Sequence, residues 1–572
     1  MDCLTYRIQA HRAAHAFAVR LRFRAPEAGK LVLRIPAWVP GSYTVRDLAG
    51  HVSRFLVHQE GRTFRATKCE LNAWETEVDE GLVEVTYRVY AFDASVRLAY
   101  LDDERAFFNP TSLLVAPDGA ESLPVRIAFE DERDVWATPL PLKDGFYEAS
   151  NLYAAYDAPF ESGFGHSLEF TVQGAPHRAV FSGDTDGLTE ELKERLRRDM
   201  AAVADAVARF FDPAGGRPPF ERYLCVACFG KGFGGGLEHA ASCVLCAEPG
   251  VFKGEPGAYE DFLELFAHEY FHAWWVKRVR PSVYVSPDLS QARPSGLLWV
   301  FEGFTVYYAA LMLREAGLID ETRYLEKLSE LALEVMTKSA ATNEPLEEAS
   351  LEAWIKYYRP DGDRPNAVTS YYSAGALVAL GLDAALAAKS EGRWRLADVL
   401  RHAYGQWKAN PRLYAGIPEG GLPELVSRAT EIDLGEEIAL WTREARLPDF
   451  AELAPSLGMR FGYREDVACT RSFGVSLVLR YGRVFVKTVS EGSCAASLGL
   501  AQDDEMLRVG DQAFGEETTT DKKALDAIFA SLAGKKVRMQ IRRFGREKTL
   551  ASSCAFEPGK VPFFSREGQG RS

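Results

Sequence analysis

The hydrophobic period of this chain changes once, and that change bounds the architectures open to it. From Thr5 to about Phe181, apolar and polar residues alternate in short runs such as AFAVRLRF, GKLVLRIPAW, GLVEVTYRVYAF and SLEFTVQG, broken by Gly, Pro and Asp. That is the period of half-buried strands. From Thr189 the spacing turns helical, because TEELKERLRRDMAAVADAVARFF repeats its apolar residues every three or four positions and carries its acidic ones early, where a helix N-terminus favours them. Residues 1–181 therefore read as a β-sandwich-like N-terminal domain, and residues 182–447 as a second domain that opens α/β and becomes helical from about 297.

A chain of 572 residues exceeds what one hydrophobic core supports, so several domains are expected, roughly three to five by length alone. ERYLCVACFG and SCVLCAE read as two strands around the glycine loop GKGFGGGLEH. A helix is expected from about Ala258 to Val276, and another from Leu297 to about Ala316 with Ser295 as its N-cap. PDFAELAPSLG, from Pro448, reads as a linker. Beyond it, the strand-like runs FGVSLVL, GRVFVKTV and KKVRMQIRRF and the amphipathic DKKALDAIFASLA form a separate small domain over residues 455–554. The last segment, 557–572, has the composition of a disordered tail.

A formal charge of −14 argues against a general nucleic-acid binder, which needs Lys and Arg to neutralise phosphates. No polybasic run points to a membrane surface, and no window of about 18 apolar residues points to a membrane span. The N-terminus lacks the basic start and apolar run of a secretory signal. Nine cysteines, an odd number, favour free thiols in a reducing compartment. The expected location is the cytoplasm.

Two of the ten histidines stand four positions apart in FAHEYFHAWW, Phe266 to Trp275. On a helix His268 and His272 share a face and can meet one ion, with Glu269 leaning toward a water on it. The competing explanation is two core or surface histidines with no metal. A catalytic zinc takes three protein ligands and keeps a fourth position open. Glu302, in the otherwise apolar LLWVFEGFTVYYAA, is the candidate third ligand, since an unpaired carboxylate is costly to bury there; a glutamate that faces solvent is the alternative. One Zn2+ per chain at His268, His272 and Glu302, with Glu269 as general base, is the chemistry of peptide hydrolysis. Other divalent ions fit the same ligand types.

Upstream, Gly235 and Gly236 in GGLEH would let backbone approach a substrate, and Glu238 would offer a negative charge to a free α-ammonium group. A hairpin turn with a solvated glutamate is the alternative. Tyr371 and Tyr372, opening SYYSAGALVALGLDAAL, are candidate donors to the oxyanion that develops on the scissile carbonyl, or simply packing residues. A second metal site is conceivable at Cys225, Cys228, Cys243 and Cys246, two CxxC pairs close to zinc-ribbon spacing. Their setting in apolar strands argues instead for buried thiols, because strand residues three apart face opposite ways.

Taken together, AWVPGSYTVRDLAGHV from Ala37, FFNPTSL from Phe107, GGLEH, HEYFHAWWVKRVRP, WVFEGFTVYY and SYYSAG resemble the glycyl aminopeptidase family with a PDZ domain, a branch of the gluzincin zinc metallopeptidases. The resemblance spans nearly the whole chain. It implies a thermolysin-like catalytic domain over 182–447, His268, His272 and Glu302 as zinc ligands, Glu269 as base, Glu238 as the α-amine anchor beside Gly235 and Gly236, and Tyr372 as oxyanion donor. The family pattern tyrosine-any-lysine-glycine has Ala374 in place of the lysine, and Ala240 and Ala241 follow GGLEH where more polar residues are expected. The C-terminal domain is similar to a PDZ domain, with FGVSL, Phe473 to Leu477, as carboxylate loop and DKKALDAIFASL as groove helix.

The function so implied is a zinc aminopeptidase acting on peptides with a free N-terminus, Gly or Ala preferred, with a protein C-terminus as a second partner at the PDZ-like domain. An endopeptidase or oligopeptidase, or a PDZ scaffold with a vestigial metal site, are the alternatives.

Overall fold

A computed structural model describes residues 3–130, 135–514 and 522–566. The chain divides into two compact units: residues 1–294, 308–319 and 400–418 form one, and residues 295–307, 320–399 and 419–572 the other. No helix among the described residues is long and apolar enough to cross a membrane.

The first unit opens with β structure whose alternation follows the sequence. Ala16–Ala25 and Gly81–Tyr90 pair antiparallel with Phe17 opposite Val89, Val19 opposite Tyr87, Leu21 opposite Val85 and Phe23 opposite Val83. All eight side chains are buried on one face, as period-2 spacing requires. These strands lie in an eight-stranded sheet, and Gly29–Arg34 and Ala73–Val78 in a four-stranded one. Phe55 of the first sheet stacks on Trp74 of the second at 4.5 Å.

A five-stranded sheet follows, in the order His166–Val172, Ala175–Gly183, Tyr223–Phe229, Ser242–Ala247, Gly235–Glu238. Here the expected boundary at 181 needs correction, because SLEFTVQG and the strand after it belong to this sheet. The Ala175–Gly183 strand pairs parallel with Tyr223–Phe229, and parallel pairing needs a crossover. The Glu190–Phe211 helix between them supplies it, and Thr189 caps that helix by accepting from the Leu192 N–H at 3.2 Å. A hairpin strand alternates alike in either sheet, so sequence period could not assign it. Gly235–Glu238 is itself a strand, antiparallel to Ser242–Ala247, where the sequence predicts only a loop.

The helix after this sheet spans Ala258–Phe271, five residues short of its expected end at Val276. Trp274 and Trp275 beyond it are wholly buried, and Lys277 N–H returns to the His272 carbonyl at 3.1 Å, closing a turn rather than extending the helix.

The second unit begins with another departure. Ser295 Oγ accepts from Leu297 N–H at 3.1 Å, but the backbone first winds as a π turn over Trp299–Gly303 before the Phe304–Glu315 helix. Ser373–Lys389 is a helix buried on nearly every side, which its almost continuous apolar sequence demands.

The C-terminal part is a six-stranded sheet containing Val475–Arg480, Arg483–Val489, Glu505–Val509, Lys536–Arg543 and Arg546–Ala555, with the Lys522–Ala530 helix beside it. Phe473, Val486, Met506, Phe529, Met539 and Ile541 are among its core residues. Two expectations fail around this sheet. The segment from Pro448 is structured: Phe450–Leu453 is helical, Asp449 accepts from the N–H groups of Ala451 and Glu452, and Phe450 is buried. The tail is ordered as far as Arg566, since Lys560–Arg566 pairs antiparallel with Met459–Glu465. Val561 and Phe564 in it are buried, and the Phe564 N–H donates to Ser329 Oγ at 2.8 Å. Disorder expected for 567–572 concerns residues outside those described.

Candidate active site

The Ala258–Phe271 helix carries Glu260 and Asp261 in its first turn, complementing the helix dipole, and His268 in its last. The four-residue spacing brings the Nε2 atoms of His268 and His272 to 3.0 Å. His272 Nδ1 lies 2.8 Å from the Trp275 carbonyl. A carbonyl only accepts, so Nδ1 holds the proton and Nε2 keeps its lone pair, the tautomer a metal ligand needs. Val276, next in the chain, adopts φ +110°, a conformation costly for a β-branched residue. Backbone strain is thus stored in the turn that presents the Trp275 carbonyl to His272.

Glu302 sits within the π turn and is 2% exposed. Such turns recur at functional sites because they shift a side chain out of α-helical phase. One ligand atom from each of His268, His272 and Glu302 lies within 4.8 Å of the others. Two imidazole nitrogens and a carboxylate oxygen fit a divalent zinc with one position left open. The buried charge of Glu302 fits the same ion.

Glu269 is buried, and a Cβ built on Gly236 would overlap its carboxylate. The glycine expected to admit substrate thus also admits the expected base. Gly235 takes φ +106°, a backbone shape suited to glycine. Glu238, 4% exposed, ends the same strand, which is the outer strand of its sheet.

Tyr372 precedes the Ser373–Lys389 helix. Burial, then the charge of Glu302, pushes its phenol well above the usual pKa, so the hydroxyl stays protonated and can donate. Tyr358, absent from the sequence reading, has its hydroxyl 3.0 Å from the hydroxyls of both Tyr371 and Tyr372. Two helices approach closely here: a Cβ on Gly375 would stand 2.7 Å from the Trp299 carbonyl oxygen and 3.0 Å from the Gly303 Cα.

Asp157 was also missed. It accepts from Lys277 Nζ at 2.9 Å, His239 Nδ1 at 3.1 Å and the Ala240 N–H at 2.7 Å. Burial alone would raise its pKa, but the Lys277 charge and these hydrogen bonds hold it well below the carboxylate range. It joins the residues after Glu238 to the turn after His272. Nothing local in LYAAYDAPF signals that role.

The four cysteines lie on neighbouring parallel strands, Cys225 opposite Cys243 and Cys228 opposite Cys246. Alternation places the two pairs on opposite faces of the sheet. All four are free. Burial pushes the Cys243 thiol well above its usual pKa and Cys246 up to about 12, away from the thiolate that ligates metals.

Two histidines four apart at the end of a helix and a glutamate in a later π turn, with ligand atoms within 4.8 Å of one another, make the donor arrangement of a metal-dependent peptidase. Residues 261–378 match the M61 glycyl aminopeptidase family, and residues 5–164 match the Peptidase M61 N-terminal domain. Both matches fall within the M61 peptidase family. Among solved structures it is similar to an aminopeptidase N family protein from Idiomarina loihiensis, with 26% identity and a TM-score of 0.89 over 99% of this chain and 98% of that one. A yeast LTA4 hydrolase aligns at 13% identity and a TM-score of 0.48, over 78% of this chain and 68% of that one. No curated protein matches the chain.

Proposed function

We propose that the protein is a zinc-dependent aminopeptidase that removes one residue, preferably Gly or Ala, from the free N-terminus of peptides. The observation that carries this is the convergence of His268, His272 and Glu302 ligand atoms within 4.8 Å. Bound there, zinc would supply a water of lowered pKa and polarise the scissile carbonyl. Glu269 takes the proton from the attacking water and delivers it to the leaving amine. Tyr372 donates to the developing oxyanion. The peptide backbone adds to the open edge of Gly235–Glu238 alongside Gly235 and Gly236, and Glu238 receives the α-ammonium group. Free thiols among the described residues support a reducing compartment such as the cytoplasm.

A second binding role is proposed for the C-terminal sheet, read as a PDZ-like domain. A cavity of about 530 Å³ is lined by Val475 to Leu479 on the outer strand, Leu525 on the helix beside it, and Glu334 and Lys338. A strand edge facing an apolar helix suits an extended peptide ending in a free carboxylate.

The test is hydrolysis of Gly-, Ala- and Leu-p-nitroanilide beside their N-acetylated forms, with wild type, Glu269→Gln and Glu238→Ala. Cleavage of free-amine compounds alone, with Gly or Ala fastest, lost in Glu269→Gln at unchanged zinc content, is the expected outcome. Cleavage of the acetylated forms as well would make the protein an endopeptidase. Equal losses on both forms in Glu238→Ala would remove the amine anchor from the proposal.

A further inference from the structure

A turn of the N-terminal β part lies against the carboxylate of Glu238. A Cβ built on Gly41 would stand 2.5 Å from Glu238 Oε2, 2.6 Å from Oε1 and 2.7 Å from Cδ. Real Cβ atoms essentially never sit so close, so the carboxylate occupies the volume that a residue other than glycine would fill, and would have to shift to make room for one. Gly41 also takes φ +95°.

Both partners are held in place. Ser42 N–H donates to the Val39 carbonyl at 2.8 Å and closes the turn. Arg46 donates to Ser42 Oγ from Nε at 3.0 Å. Ala37 N–H donates to the Leu289 carbonyl at 2.7 Å, Trp38 Nε1 to the Asp288 carbonyl at 3.3 Å, and Tyr43 stacks on Tyr284 at 5.9 Å. The turn is therefore fastened to residues 284–289, downstream of the histidine helix. On the other side, the strand bearing Glu238 is paired along its length, and the His239 N–H donates to the Ser242 carbonyl at 2.9 Å. Neither backbone is free to yield if the space between them fills.

We infer that Gly41 is a positioning residue for amine recognition: its missing side chain leaves the space that fixes the direction of the Glu238 carboxylate. The inference rests on the reading of Glu238 as the amine anchor. It makes the N-terminal β part a determinant of specificity for free N-termini. A purely structural role for Gly41, set by its positive φ alone, predicts no coupling to the length of the residue at 238.

The test uses the full-length, metal-loaded protein and calorimetric titration with glycine hydroxamate and acetohydroxamate. These share a metal-binding group and differ by the α-ammonium. Wild type is expected to bind glycine hydroxamate about 10-fold tighter or better. Gly41→Ala should bring that ratio to about 1 while leaving acetohydroxamate affinity and metal content unchanged. Glu238→Asp draws the carboxylate back by one methylene, and in that background Gly41→Ala should change the ratio by less than about twofold.

An unchanged ratio in Gly41→Ala, or the same loss in both backgrounds, would overturn the inference while leaving the amine anchor standing. A wild type that binds both hydroxamates equally would overturn the amine anchor and the inference together. Should Gly41→Ala fail to fold, Ser42→Ala keeps the glycine and releases the turn from Arg46. A ratio lowered about threefold there supports the inference, and an unchanged one overturns it.

Discussion

Tyr372 and His177 show how burial sets the protonation state of single groups here. The Tyr372 phenol is kept neutral, and its hydroxyl meets Tyr358 at 3.0 Å. Tyr358→Phe removes that partner without touching the proposed donor. It should lower kcat about 10-fold at unchanged KM, whereas Tyr372→Phe should cost roughly 100-fold or more. Equal effects of the two would mean that Tyr358 itself contacts the substrate. His177, 3% exposed, bridges the Ala175 carbonyl and the Tyr270 hydroxyl, each at 2.9 Å. Burial pushes its pKa down from 6.5 to about 4. Between those values the unfolded chain binds the extra proton, so stability rises with pH. The contribution is full above about pH 6.5 and lost as pH falls toward 4, to the extent of about 3 kcal/mol. Urea unfolding at pH 7 and pH 4.5 should show that loss in wild type and less of it in His177→Gln.

Among elements, the approach of the Trp299–Gly303 turn to the Ser373–Lys389 helix carries both Glu302 and Tyr372. Glycines 303 and 375 make the approach possible. Gly375→Ala must push the Trp299 carbonyl away, at about 1–3 kcal/mol of overpacking. Because Glu302 moves with that turn, zinc affinity should fall roughly 10-fold. Urea midpoints and competition with a chromophoric chelator measure the two effects separately. The helices themselves were legible, since the apolar spacing of SAGALVALGLDAALAAK admits little else. The π turn was not, because no residue pattern in WVFEG distinguishes it from a regular helical turn. The Gly235–Glu238 strand was equally hidden, as four residues rich in glycine have no strand propensity and become a strand only by pairing with Ser242–Ala247.

For the whole molecule, the C-terminal part is less separate than its sequence implies. Lys560–Arg566 reaches the Glu321–Met336 helix through Phe564 N–H to Ser329 Oγ at 2.8 Å and Arg566 to Glu321 at 2.8 Å. A chain ended at Leu447 should therefore lose several degrees of thermal stability in what remains, rather than behave as an intact catalytic part freed of an appendage. An unchanged melting temperature would restore the linker view of the segment from Pro448.

The sequence by itself determined the residue types and local periods: HExxH on one helical face, alternation in the N-terminal strands, the acidic start of the Glu190–Phe211 helix. These are short-range properties, written within a few residues. Tertiary structure alone decided that Gly236 admits the Glu269 carboxylate, and that Gly41 leaves room for Glu238. Each joins segments distant in the chain, and a glycine's absent side chain acquires meaning only from the atoms that fill its place.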